Sequence, residues 1–203
     1  MRFHRPLDRI LGTRLKTAVL RYLIRSNLEL SGRQIARAVG ASPKPLNRAL
    51  AQLVGEGVVL QRSVGRVHLY RVNHDNPLVS NLLVCLFQQE ANLLRDALRA
   101  TLGDIPGLLS ASVYGSVAWQ MEEPYSDVDL LVVARDKAAA EALLEERAVA
   151  FVKRYGNPLS YTVLGLEEFR ERYRSHDEFL REAMDRGQVV LGKSALELTY
   201  DAA

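Results

Sequence analysis

The stretch Ser112–Val133, SVYGSVAWQMEEPYSDVDLLVV, decides the fold of the second half of the chain. The apolar residues before Gly115-Ser116 predict a strand, the Gly-Ser pair predicts a turn into a helix, and the run Val128–Val133 predicts a second strand. Side chains two residues apart on a strand point to the same side. Asp127 and Asp129 are therefore expected to project together, with Cα atoms about 6–7 Å apart.

Each of these features has a use in binding a nucleoside triphosphate. Paired carboxylates at that separation hold one or two divalent cations against a triphosphate. Gly115 lets the backbone approach a phosphate, Ser116 adds a hydroxyl, and the helix that begins there offers N–H groups to the anion. The pattern predicts catalytic and metal-binding roles for Asp127 and Asp129 with Mg²⁺ or Mn²⁺, and phosphate-binding roles for Gly115 and Ser116.

Gly115-Ser116, ten intervening residues, then Asp127-Val128-Asp129 followed by Leu-Leu-Val-Val resembles the DNA polymerase β-like nucleotidyltransferase superfamily. The similarity is greatest to its minimal nucleotidyltransferases. The resemblance implies a small α/β domain with a mixed sheet and helices on one face. It also implies transfer of a nucleoside monophosphate from a nucleoside triphosphate to a hydroxyl. Minimal members often act as antitoxins that modify a partner toxin, so a protein acceptor is one candidate, beside an RNA end or a small molecule.

One part of the superfamily pattern is missing. Active members usually carry a third carboxylate on a later strand, which corresponds here to the predicted strand Leu159–Leu164. With Leu159, Tyr161 and Val163 facing the core, Ser160 and Thr162 face the site. A hydroxyl holds a metal less firmly than a carboxylate and is no general base at neutral pH.

Three explanations remain open at this point. The enzyme uses one well-held metal and a base supplied by the substrate, or another acid substitutes for the missing one, or the domain binds nucleotide without turnover. In the last case the protein is a transcriptional regulator whose degenerate nucleotidyltransferase domain senses nucleotide. The candidate substitute acids are Glu122, Glu123, Glu167 and Glu168.

Charge divides the chain into two predicted domains. Residues 1–77 contain 14 Lys and Arg against 4 Asp and Glu, a net charge of +10, whereas residues 78–203 contain 13 against 20, a net of −7. Such asymmetry indicates a polyanionic partner for the basic part. We expect a DNA-binding domain at 1–77 and a nucleotidyltransferase domain at 78–203, with a bridging amphipathic helix at 78–101.

Residues 10–74 resemble the winged-helix regulators of the helix-turn-helix class. Apolar spacing predicts a helix at Thr13–Ser26, and Ser31 with Gln34 predicts the capping box of a second helix. Ser42 is expected to cap a third helix that begins with Pro43 and ends near residues 55–57. Two short strands, Val58–Arg62 and Val67–Val72, are then predicted to form a hairpin with a basic tip at residues 63–66. The expected fold class of this domain is an α+β winged helix.

The exposed face of the third helix and the hairpin provide the candidate DNA-binding residues. Such regulators insert the third helix into the major groove and place the wing on backbone or minor groove. The resemblance implies that Lys44, Asn47 and Arg48 meet bases or phosphates, and that Arg62 and Arg66 hold the wing on double-stranded DNA. The alternative is a winged helix used for protein contacts. A homodimer is plausible, since winged helices often read two half-sites.

The single cysteine, Cys85, excludes an internal disulfide and is consistent with a reducing cytoplasm. Its Leu- and Val-rich surroundings predict a buried structural thiol. No apolar run approaches the ~18–20 residues of a membrane span, so we expect a cytoplasmic protein with no membrane partner.

Overall fold

The computed structural model describes residues 3–200. Through its internal contacts the chain divides into two compact units, Met1–Leu93 and Leu94–Ala203, and the division lies inside one long helix. The boundary expected from charge, after residue 77, precedes this division because Leu83 and Phe87 belong to the core of the first unit. No helix among residues 3–200 is long and apolar enough to cross a membrane.

The first unit has the order of helices and strands of a winged helix. In chain order these are α1 Pro6–Ile10, α2 Arg14–Ser26, β1 Leu30–Ser31, α3 Gly32–Ala38, α4 Pro43–Gly55, β2 Val59–Val64 and β3 Val67–Val72. The three strands pair antiparallel in the order β1-β3-β2. Apolar residues of α2, α3 and α4 and of the sheet form one core, with Leu20, Ile35 and Leu50 completely buried. The predicted α+β winged helix is confirmed.

Local signals predicted most helix ends in this unit. Thr13 accepts a hydrogen bond from the Lys16 amide, and the Ser31–Gln34 capping box is complete. Ser42 does precede the first residue of α4, but the prediction that its side chain caps the helix is wrong. A cap oxygen bonds the amide two or three residues further along, and the third residue here is Pro45, which has no N–H.

The wing is a tighter hairpin than predicted. β2 continues through Ser63 and Val64, and Val64 pairs with Val67, so only Gly65 and Arg66 form the turn. Gly65 has a φ of +58°, which glycine adopts without the steric cost that other residues carry. The wing tip is therefore short and exposes a single basic side chain at the turn.

The second unit is built on a four-stranded mixed sheet. A π-helical turn, Val79–Leu83, leads into α5, Val84–Leu102, whose second half belongs to this unit. The remaining elements are β4 Leu108–Tyr114, α6 Gly115–Ala118, β5 Val128–Ala134, α7 Lys137–Tyr155, β6 Leu159–Gly165, α8 Leu166–Arg174, α9 Glu178–Asp185, β7 Gln188–Gly192 and α10 Ala195–Tyr200. The strand order is β6-β5-β4-β7, with β5 and β6 parallel and the other pairs antiparallel. The predicted α/β fold with a mixed sheet is confirmed.

Helices cover both faces of this sheet, so the prediction of helices on one face is wrong. Val128, Leu130 and Val132 pack with α5 and α7 in one core. Leu131 and Val133 pack with α8, α9 and α10 in a second core. The second layer exists because alternate β5 residues on both sides are apolar as far as Ala134, and each side must be buried. Only the beginning of β5, at Asp129, interrupts that pattern.

Candidate functional sites

The two aspartates lie where the sequence predicts them. Asp127 directly precedes β5 and Asp129 is the second residue of that strand. Val128, between them, is buried in the core formed with α5 and α7, so the two carboxylates project from the opposite face of the sheet. Asp127 is exposed and Asp129 is partly buried. The pair thus combines one exposed carboxylate with one that is partly enclosed by the protein.

Gly115 lies directly against the Asp129 carboxylate. Its φ is +70°, and a Cβ placed there would overlap Oδ2 of Asp129 and lie 3.2 Å from Cγ. We expected glycine here to admit a phosphate to the backbone. The structure shows that it admits the carboxylate, which a side chain at position 115 would displace. Gly115 and Asp129 therefore pack against each other, although thirteen residues separate them in the sequence.

The surroundings of Asp129 raise its pKa. Burial contributes most, because it disfavours the charged form, and the negative charge of Asp127 adds to it. A divalent cation, if bound here, would be held by the carboxylates of Asp127 and Asp129 and would offset their mutual repulsion.

Tyr114 is a site residue that the sequence analysis missed. It pairs with Asp129 across β4 and β5 and shares a hydrogen bond with the Thr162 side chain. Burial raises the pKa of Tyr114, the Thr162 hydroxyl partly lowers it, and the charge of Asp129 raises it again. Its ring packs edge-on against Phe179 at 5.5 Å between centroids. The sequence did hold a signal for this role. Tyr114 directly precedes Gly115, so it ends the strand that pairs with the strand of Asp129.

The neighbouring strand carries no acid at the position of the missing carboxylate. Ser160 pairs with Asp129 in the parallel ladder and Thr162 pairs with Leu131, so both lie on the face of the carboxylates as predicted. Leu159 is buried in the opposite core. Within residues 3–200 no group of three His, Cys, Asp or Glu side chains is placed to hold a metal ion.

None of the candidate substitute acids joins the two aspartates in a cluster within the described part of the chain. Glu167 pairs with Arg170 at 2.8 Å, and Glu168 pairs with Lys137 at 3.1 Å. The two others are exposed in the loop between α6 and β5 and belong to no acidic cluster. That explanation for the missing carboxylate stays a prediction, and it requires one of these acids to converge on the first two when a metal binds.

The helix after the Gly-Ser turn is too short for the dipole effect that we expected. α6 has four residues, Gly115–Ala118, and a macrodipole needs many aligned peptide units. The half-buried Ser116 hydroxyl remains available, since it has no hydrogen-bond partner among residues 3–200. Trp119 follows α6, packs into the core, and lies beneath the Arg186 guanidinium at 5.3 Å. Arg186, which sequence reasoning missed, brings positive charge to this end of the sheet.

The candidate DNA-binding face of α4 is formed as predicted. Lys44, Asn47 and Arg48 are all exposed, and their spacing places them on one side of the helix. Leu46 and Leu50, on the other side, are buried in the core of the first unit. Three polar or basic side chains therefore share an open helical surface, which is the arrangement that groove contacts require.

The two wing arginines differ in their surroundings. Arg66 is exposed at the turn. Arg62 donates hydrogen bonds from Nε and Nη2 to the Glu29 carboxylate at 3.0 and 2.5 Å, and these bonds lower the pKa of Glu29. The pairing partly neutralises Arg62, which the sequence did not indicate because 33 residues separate the partners. Arg66 is therefore the freer of the two candidates.

Comparison with known proteins yields only distant similarities. No protein-family model and no curated protein matches the chain. One similar structure is a crystal structure of a toxin–antitoxin with AMP-PNP. Its sequence is 18% identical to this chain, the match covers 52% of this chain and 80% of the other chain, and the TM-score is 0.39. The antimony-specific transcriptional repressor AntR is 22% identical over 46% of this chain and 78% of its own, with a TM-score of 0.38.

A third similar structure is the homodimeric winged helix-turn-helix DNA-binding domain of a possible ArsR-family transcriptional regulator from Mycobacterium bovis. It is 20% identical, covers 43% of this chain and 80% of that chain, and has a TM-score of 0.36. Similarities of this size do not assign the chain to a family. Its function is therefore inferred from its own residues.

Proposed function

We propose that the second unit is a nucleotidyltransferase that transfers a nucleoside monophosphate from a nucleoside triphosphate to a hydroxyl acceptor. The observation that carries this proposal is the close packing of Gly115 against the Asp129 carboxylate, with Asp127 two residues before it. Gly115 has a positive φ, and two negative charges are close together. Such an arrangement costs stability unless it has a cationic ligand.

The chain's own residues bind and orient the nucleotide. Asp127 and Asp129 would hold Mg²⁺ or Mn²⁺, which when bound would neutralise triphosphate charge and polarise the phosphoryl oxygens. The Ser116 hydroxyl would donate to a phosphate oxygen. In the reaction the acceptor oxygen forms a bond to the α-phosphorus, the bond to pyrophosphate breaks, and the acceptor proton leaves. No third acid stands on β6 to take that proton, so a substrate phosphate would accept it.

Label transfer tests this activity directly. The full chain is incubated with nucleoside triphosphates labelled at the α-phosphate, with Mg²⁺ or Mn²⁺ and cell lysate, and labelled products are separated as protein, RNA and small molecules. Label transfer is expected with the wild type and absent in Asp127→Asn. Glu182→Gln removes an exposed carboxylate of α9 and serves as the matched control. Equal labelling by wild type and Asp127→Asn would contradict the proposal.

A second function is favoured by the register of Ser160 with Asp129. Without a third carboxylate the same site binds a metal–nucleotide complex and does not turn it over, so that the nucleotide acts as a signal. This function requires nucleotide to change DNA affinity without release of pyrophosphate. Unchanged affinity at saturating nucleotide would exclude it. Ser160→Asp places a carboxylate beside Asp129, and appearance of transfer only in that variant would favour the sensor over the native enzyme.

The first unit is proposed to bind double-stranded DNA, with α4 in the major groove and the wing on the backbone. The support is the +10 charge of residues 1–77 together with the shared exposure of Lys44, Asn47 and Arg48. Arg66 would contact a phosphate from the wing tip. Phosphate contacts displace counterions, so the affinity should fall steeply with salt.

Titration of labelled genomic fragments at several salt concentrations tests DNA binding. Arg48→Ala is expected to weaken binding and, if this side chain meets a phosphate, to reduce the salt slope by about 1. Arg14→Ala removes the same charge at the start of α2 and is the control. Weak binding that does not vary with salt, or equal losses in both variants, would indicate that α4 is not the contact surface.

A further inference from the structure

The second unit carries a cleft of about 550 Å³ that contains none of the candidate site residues. Its floor is the sheet, where Ser112 of β4 pairs with Val189 of β7 and both residues line the cleft. Its walls come from the end of α8, from α9 and from the start of α10. The apolar residues of these walls are Tyr173, Leu180, Ala183, Met184, Ala195 and Leu196. Clefts of this volume with mainly apolar walls are the usual sites of small ligands.

The protein leaves part of this apolar lining open to water. Leu180 and Ala183 are at most 1% exposed, so the inner wall is sealed into the core of the unit. Val189 and Leu196 also line the cleft, and they are 46% and 60% exposed. An apolar group seated between them would remove this surface from water, which favours binding.

Two charges of opposite sign lie one helical turn apart on the same wall. Arg181 and Asp185 of α9 both line the cleft, and both are exposed. Residues four apart occupy one side of a helix, but no ion pair or side-chain hydrogen bond joins either of them to another of residues 3–200. Asp177, the other carboxylate of the lining, is bound to Arg172 at 3.0 Å and caps α9. The cleft therefore offers a ligand one cationic and one anionic group.

We propose that this cleft binds a free amino acid with a large apolar side chain. The ligand carboxylate would meet Arg181, its ammonium group would meet Asp185, and its side chain would lie between Leu180 and Val189. An apolar anion would be repelled by Asp185 and an apolar amine by Arg181, so each fits less well than a zwitterion. This inference does not rest on the proposed DNA binding or nucleotide transfer.

Nuclear magnetic resonance titration of the ¹⁵N-labelled full chain with L-phenylalanine tests the cleft. The amide shifts of α9 and β7 are expected to change and to saturate at about millimolar concentrations, as is usual for so small a ligand. Phenethylamine lacks the carboxylate and 3-phenylpropanoate lacks the ammonium group. Each should bind roughly three- to fivefold more weakly than L-phenylalanine, which is the contribution of an exposed ion pair. Equal binding of all three compounds, or no saturable shift in α9, would overturn the proposal.

Variants of the two charges distinguish recognition of the zwitterion from adsorption to apolar surface. Arg181→Ala should weaken L-phenylalanine binding roughly three- to fivefold without weakening phenethylamine binding, and Asp185→Ala should do the same with respect to 3-phenylpropanoate. Arg174→Ala removes an exposed arginine at the end of α8, outside the cleft lining, and is the control. The same spectra show whether each variant is folded. If folded Arg181→Ala and Asp185→Ala bind L-phenylalanine as tightly as Arg174→Ala does, the proposal is wrong.

Discussion

Replacing Gly115 with alanine tests the packing on which the candidate site depends. A non-glycine residue in the left-handed region costs roughly 1–2 kcal/mol. The new Cβ would also overlap Oδ2 of Asp129, and forcing an extra methyl into a packed position costs typically about 1–3 kcal/mol. Gly115→Ala is therefore expected to lower the free energy of unfolding of the second unit by roughly 2–5 kcal/mol. It should also weaken metal–nucleotide binding, because Asp129 must move.

Gly156 provides a control for the backbone contribution. It has a φ of +81°, and the nearest atom to a Cβ there is a Tyr125 ring carbon at 3.9 Å, an ordinary van der Waals distance. Gly156→Ala should cost only the roughly 1–2 kcal/mol of the backbone conformation. Asp129→Ala removes the overlapping oxygen and leaves a Cβ–Cβ distance of 3.5 Å. In that background Gly115→Ala should cost no more than Gly156→Ala.

Urea unfolding followed by tryptophan fluorescence measures these differences. Trp119 is the only tryptophan, and it packs in the core of the second unit, so its signal reports that unit. The four proteins of the double-mutant cycle give the interaction energy between positions 115 and 129, expected to be about 1–3 kcal/mol. Additive effects at the two positions would refute the reasoning. They would show that the glycine is required by its backbone conformation alone.

The pH dependence of Asp129→Asn follows from the raised pKa of Asp129. Above its folded-state pKa the ionised Asp129 carboxylate lowers the stability of the protein. This cost is removed as the pH falls through the folded-state pKa toward the ordinary pKa of an aspartate. The variant should therefore be more stable than the wild type at neutral pH. Urea unfolding over a pH series should show that this advantage shrinks on acidification, and a constant advantage would contradict the role of charge. Glu29→Gln should free Arg62 to contact a phosphate, which would raise the DNA affinity and steepen its salt dependence by up to about 1 in slope. A loss of affinity would instead mean that Glu29 positions Arg62 for binding. Ser42→Ala should cost well under the ~1 kcal/mol typical of a helix cap, as measured by urea unfolding of the first unit, since its side chain makes no cap bond.

Periodicity and turn residues were sufficient to predict most of the fold. The capping box at Ser31 and the strand of Asp129 follow from local signals, because caps and pleats depend on residues close together in the sequence. The expected burial of Cys85 was wrong, since the thiol is exposed while Phe87, two residues away, is in the core. Composition describes the whole helical segment, but the face that a residue occupies depends on which side the other helices cover.

The sequence by itself determined the two kinds of unit, their opposite charges, and the presence of two carboxylates on one side of a strand. These depend on residue order and on the geometry of single elements. Tertiary structure alone decided that Gly115 makes room for Asp129, that Tyr114 lies across from it, and that Glu29 holds Arg62. Each of these contacts joins residues that only strand pairing or packing brings together. The spacing of a motif shows which groups are available, but not which of them meet.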